Sequence, residues 1–136
     1  MRVIAGEYRR RTLRSLPGLE IRPTSDRLRE TLFNVLCAGH PSALAESTWL
    51  DLYAGTGAVG IEALSRGARM VYFVESSKAA AEVIGANLKS LGITSGFQII
   101  KIEAARACDN WRRLGFLPIS YFWILHTPCR TSTRRR

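Results

Sequence analysis

The chain has 136 residues, 46% of them hydrophobic, and a formal net charge of +9, which makes one domain's worth of folding polypeptide and excludes a disordered chain. The positive balance suits a polyanionic partner such as nucleic acid, although Arg130, Arg134, Arg135 and Arg136 crowd the last seven residues. Cys37, Cys108 and Cys129 make neither a metal spacing nor a disulfide framework, Met1 to Gly6 is too short an apolar run for a signal peptide, and no stretch reaches the length of a membrane span, so the expectation is a cytoplasmic protein without metal or membrane.

Residues 1–24 are expected to form a basic hairpin arm, with short strands at Arg2-Val3-Ile4-Ala5 and Arg11-Thr12-Leu13-Arg14 around Gly6 and a charged turn. Arg9, Arg10, Arg11 and Arg14 crowd this segment, and Pro17-Gly18 and Pro23 punctuate its end. Helical periodicity begins after Ser25, with Thr24 or Ser25 as cap, Asp26 in the first turn, and Leu28, Leu32, Val35 and Leu36 along one face up to Gly39-His40-Pro41.

From Thr48 strand and helix alternate. Trp49 to Tyr53 reads as a strand, Ala58 to Ser65 as a helix, Met70 to Val74 as a buried strand, and Lys78 to Leu91 as a long helix stopped at Gly92. Phe97 to Ile102 and Ala104 to Leu114 supply a third pair. Near-continuous apolar strands separated by amphipathic helices predict an α/β fold, a parallel sheet covered on both faces. The three units make an incomplete Rossmann-like fold, with a fourth strand due near the end of the chain.

The sharpest motif is DLYAGTGAVGIEA, residues 51–63. Gly55 and Gly57 let the backbone turn tightly and approach a ligand, and Gly60 lets the following helix pack closely on a strand. Asp51 precedes the glycines, where a carboxylate suits a ligand with an amine better than one with a pyrophosphate. Glu75 ends the second strand, 24 residues beyond Asp51, and can accept from ribose hydroxyls. S-adenosylmethionine carries both groups and no phosphate, so it is favoured over a dinucleotide; a dinucleotide-dependent oxidoreductase is the alternative. Glu103, just past the third strand, could reach an adenine amino group. His40 and His126 have no partner at metal or base spacing.

These residues resemble a known family. MRVIAGEYRRRTL at the start, RPTSDRLRETLFNVL at 22–36, DLYAGTGAVGIEALSRGA at 51–68 and VYFVESS at 71–77 are similar to the bacterial RsmD-type methyltransferases, which methylate the exocyclic N2 of one guanine in small-subunit (16S) ribosomal RNA. The resemblance runs to about residue 114. It implies an S-adenosylmethionine-dependent methyltransferase fold in which Asp51, Tyr53, Ala54, Gly55, Thr56, Gly57, Gly60, Glu75 and Glu103 bind cofactor; the family carries Asp where Glu103 stands. It implies that Arg9, Arg10, Arg11, Arg14, Arg22 and Arg29 hold the RNA, in a partly assembled small subunit, and that the protein works as a monomer.

The family's decisive feature is an Asp-Pro-Pro-Tyr at the end of the fourth strand. There the Asp carboxylate and the first Pro carbonyl grip the target amine while the Tyr ring stacks on a guanine turned into the pocket. This chain has Ile124-Leu125-His126-Thr127-Pro128-Cys129 instead, so no catalytic residue is assigned. The neighbouring reading frame can encode the missing motif. Trp123 has a single codon, TGG, whose last G joined to the AT of Ile124 encodes Asp, and either Phe122 codon ending before TG encodes Leu. Leu-Asp is therefore forced across Trp123 and Ile124, and Pro-Pro-Tyr across Leu125, His126 and Thr127 is permitted. The expectation is a frame change near Phe116 to Pro118 that puts residues 118–136 out of frame after a methyltransferase part at 25–117. That leaves an inactive fragment with an uncovered sheet edge. A non-catalytic basic RNA-binding module is the other alternative.

Overall fold

The computed structural model describes residues 1–16, 25–38, 40 and 42–114, together with the backbone of 122–125. Four helices and four strands follow in the order α1 (Asp26–Leu36), β1 (Thr48–Asp51), α2 (Ala58–Ser65), β2 (Met70–Val74), α3 (Lys78–Leu91), β3 (Phe97–Ile100), α4 (Ala104–Arg113) and β4 (Phe122–Leu125). All three strand pairings are parallel, and the sheet order is β3-β2-β1-β4.

Side chains alternate across the two faces of this sheet, and the alternation divides the core. Trp49, Val71 and Phe73 point to one face, where Phe33, Ile61, Ile84 and Leu88 pack against them. Leu50 and Val74 belong to the other face with Ala104 and Ala107, and Tyr72 and Trp111 pack there edge to face at 5.8 Å. Helices α2 and α3 thus cover one face and α4 the other. The chain steps outward from β1 to β3, then returns across β1 to β4. Keeping right-handed crossovers through that reversal requires the change of face. The switch point falls at the carboxyl end of β1, between β2 and β4.

Ser25 caps α1, its hydroxyl accepting the Leu28 N–H at 3.2 Å. The buried stripe of α1 differs from the expected one: Arg29 and Phe33 are fully buried, whereas Leu28 and Val35 are exposed. Phe33 stacks on Trp49 with ring centroids 5.3 Å apart, and that aromatic contact sets the rotation of the helix. Strand β1 stops at Asp51, two residues before the expected end, because the backbone turns at once into the glycine loop.

The expected hairpin arm is not present as such. Residues 1–16 contain one antiparallel bridge, Arg2 to Thr12, rather than paired strands, and they lie against the α2–α3 face instead of projecting from it. Val3 and Leu13 are buried in the main core. Gly6, at φ +82°, rests on α2 so closely that a Cβ there would stand 1.8 Å from the Ser65 carbonyl oxygen.

Candidate functional site

The glycine loop leaves β1 at Asp51 and enters α2 at Gly57. Gly57 is left-handed at φ 80° and occupies the cap position of α2 without a side chain to cap it. The capping acceptor comes from the strand instead: the buried Asp51 carboxylate accepts the backbone N–H of Gly60, in the first turn of α2, and that of Tyr53. Its Oδ2 is buried and has no hydrogen-bond partner among the described residues. Burial, reinforced by the negative charge of Glu75, pushes the Asp51 carboxyl up to about 7 despite those two bonds.

Glu75 follows β2 and faces the same loop. One carboxylate oxygen accepts the Gly55 N–H at 2.9 Å and the other the Ser77 N–H at 2.8 Å, so the loop is tied to the neighbouring strand end. Ala54 adds a backbone bond to the Val74 carbonyl at 3.1 Å. Gly60 has the packing role expected of it, since a Cβ there would lie 2.3 Å from the Phe73 ring and 2.8 Å from Val71. Ala54, Gly55, Thr56 and Gly57 are buried, and Tyr53 is exposed at the mouth of the loop. Glu103 is exposed at the cap position of α4, where its carbonyl accepts the Ala107 N–H at 3.1 Å and its side chain makes no capping bond. The three acidic residues therefore stand at the carboxyl ends of β1, β2 and β3, along one edge of the sheet.

The basic residues divide. Arg9, Arg10, Arg11 and Arg14 are exposed, and the Arg11 guanidinium also donates to the Ser90 carbonyl near the carboxyl end of α3 at 2.7 Å. Arg22 lies outside the described residues, as do His126 and Thr127; Trp123, Ile124 and Leu125 contribute backbone to β4 beside β1. Arg29 corrects the expectation of an RNA contact. It is fully buried, with its guanidinium bound to Asp26 at 2.5 Å and to the Arg2 carbonyl at 2.7 Å, and it lies 3.8 Å from Glu62. A guanidinium enclosed by its own chain has no face left for phosphate.

Glu62, inside the glycine motif but with no role assigned to it there, and Asn87 of α3 organise the surroundings. Glu62, fully buried, accepts the N–H groups of Ile4 and Ala5 at 2.9 and 3.0 Å and pairs with Arg66 at 2.8 Å. Asn87, also fully buried, bonds to Arg14 and Thr56. The signal for each is a polar residue on an otherwise apolar helix stripe, a placement that requires an internal partner.

Among the described residues no group of three or more His, Cys, Asp or Glu is placed to hold a metal ion, and no helix is long and apolar enough to cross a membrane.

The family model for Conserved hypothetical protein 95 matches residues 1–115. The chain belongs to this family. It is 43% identical over 95 residues to the ribosomal RNA small subunit methyltransferase D of Haemophilus influenzae, covering 70% of this chain and 47% of that protein. The chain spans about half the length of the curated relatives it matches. A hypothetical protein of Thermus thermophilus superposes with a TM-score of 0.73 at 28% identity, over 85% of this chain and 63% of that one. An S-adenosylmethionine-dependent methyltransferase from Agrobacterium tumefaciens shares the fold, with a TM-score of 0.56 at 23% identity over 64% and 28% of the two chains. This member of the Conserved hypothetical protein 95 family thus has the fold of an S-adenosylmethionine-dependent methyltransferase.

Proposed function

We propose that this chain carries the cofactor-binding half of an enzyme that methylates the exocyclic N2 of a guanine in small-subunit ribosomal RNA. The observation that carries the cofactor assignment is Asp51 Oδ2, a buried carboxylate oxygen at the topological switch point without a partner among the described residues. Burying such an atom is costly unless a donor completes it. An ammonium group supplies that donor, and a pyrophosphate supplies only repulsion. The residues present therefore fit S-adenosylmethionine better than a dinucleotide.

In this proposal Asp51 takes the amino-acid end of the cofactor. Glu75, whose backbone bonds leave lone pairs free, takes the ribose, and Glu103 takes the adenine amino group. Tyr53, Ala54, Gly55, Thr56, Gly57 and Gly60 form the wall that admits the ligand close to the backbone. When bound, S-adenosylmethionine supplies a methyl group already activated on a sulfonium. The exposed Arg9, Arg10, Arg11 and Arg14 contact RNA phosphates and steer its approach. Support for a ribosomal substrate comes from the names of relatives in the same family.

Methyl transfer also requires a group that grips the target amine. The chain carries Ile124-Leu125-His126-Thr127-Pro128-Cys129 where the resembling family has Asp-Pro-Pro-Tyr. We therefore propose cofactor and RNA binding without turnover for this polypeptide. Titration calorimetry with S-adenosylmethionine and, separately, with a nicotinamide dinucleotide tests the cofactor assignment. Saturable binding of the first alone is expected, and binding of the dinucleotide alone would overturn it. RNA binding with neither ligand would favour the non-catalytic module.

A further inference from the structure

Asn87 sits on the buried stripe of α3, where Ile84, Leu88 and Leu91 pack into the core. Its Oδ1 accepts the Arg14 N–H at 2.7 Å, and its Nδ2 donates to the Arg14 carbonyl at 3.1 Å and to the Thr56 carbonyl at 3.0 Å. The two N–H bonds of a carboxamide lie in one plane at a fixed angle. Pairing the oxygen and one hydrogen with Arg14 fixes that plane, and the second hydrogen is then aimed at Thr56 of the glycine loop.

The basic segment is fastened around this point from both sides. Ser90, which receives Arg11, donates its hydroxyl to the Asn87 carbonyl at 2.8 Å. On α2, the Ser65 hydroxyl accepts the Tyr8 N–H at 3.0 Å, and Glu62 holds Ile4 and Ala5. The helices beside the glycine loop thus both clamp the arginine-bearing segment, with α1 adding the Arg29 bond to the Arg2 carbonyl; Asn87 bonds to both segment and loop, and the Thr56 hydroxyl adds only a long contact to the Met1 sulfur at 3.9 Å.

We infer that Asn87 is a positioning residue coupling the basic N-terminal segment to the glycine loop, so that ordering either one orders the other. This rests on the cofactor role proposed above for the loop. RNA seated on Arg9, Arg10 and Arg14 then prepares the loop for cofactor, and cofactor tightens the RNA-facing segment by the same factor, because coupling between two binding events is reciprocal.

Hydrogen exchange on the full chain, with and without saturating S-adenosylmethionine, tests the coupling by following peptides from 1–16 and from 51–60. Slower exchange is expected in both, by roughly five- to tenfold in 1–16, although the segment binds no cofactor itself. In Asn87→Ala the loop should still slow while 1–16 no longer responds. A wild-type segment that ignores the cofactor while the loop slows would overturn the inference, as would an Asn87→Ala segment that responds like wild type. A wild-type loop that does not respond overturns the cofactor assignment and the coupling with it. The wild-type comparison decides the matter even where Asn87→Ala fails to fold.

Discussion

Asp51 and Glu75 end neighbouring parallel strands and hold the same loop from its two sides: Asp51 takes the N–H groups of Tyr53 and Gly60, and Glu75 takes that of Gly55. The loop is thus preorganised by two carboxylates whose like charges oppose one another. Such a site is expected to lower the stability of the free protein, and the loss is measurable.

The Asp51 carboxyl is raised to about 7 from an ordinary 3.8. Between those values the folded state keeps a proton that the unfolded state has released, so stability falls as pH rises through this window and levels off above it. The whole change is on the order of 4 kcal/mol. Asp51→Asn should remove it. Urea unfolding at pH 8 is expected to show the variant more stable than wild type by a few kcal/mol, with the difference shrinking towards pH 4. An unchanged pH profile would refute the burial of a titrating carboxylate.

The same substitution should abolish S-adenosylmethionine binding, because the atom left without a partner becomes a donor facing a cation. In the wild type, cofactor affinity should rise with pH up to about 7, as the ligand competes with the proton for Asp51. Calorimetry across pH 5.5 to 8 checks this, and a falling affinity would contradict the pairing.

Glu75→Gln keeps the size of the side chain but removes its charge. Weakening a charge-assisted bond to the Gly55 N–H and to the ligand should cost about 1.5–3 kcal/mol of binding, or at least a tenfold loss in affinity, with a smaller effect on folding. Equal losses in both would mark Glu75 as merely structural.

Gly60→Val would drive its Cβ into Phe73 and Val71, at 2.3 and 2.8 Å. Overpacking typically costs about 1–3 kcal/mol, and here the obstacle is the ring that anchors β2. Thermal unfolding should register that loss.

Arg9→Glu with Arg10→Glu should weaken RNA binding and flatten its salt dependence by roughly one unit of slope per lost phosphate contact. Arg29→Met should leave the slope unchanged while destabilising the fold, since it strips Asp26, Glu62 and two carbonyls of their buried partner. A flattened slope for Arg29→Met would restore it to the RNA surface.

The sequence alone determined the strand and helix order from Thr48 to Arg113, the parallel sheet and the work of Gly57 and Gly60, because these follow from local periodicity and from the space a missing Cβ leaves. Tertiary structure alone decided the rest. Periodicity marked Leu28 and Val35 as buried, but the stacking of Phe33 on Trp49 turned α1 so that Arg29 went inside. Short strand patterns and the Pro and Gly residues that follow them marked residues 1–24 as a hairpin arm, but Glu62, Ser65 and Asn87, between 57 and 73 positions away in sequence, drew the backbone of its first part onto the body of the domain. Such long-range pairs leave no local pattern. A buried polar group can show that it needs a partner, and only the folded chain shows which one it finds.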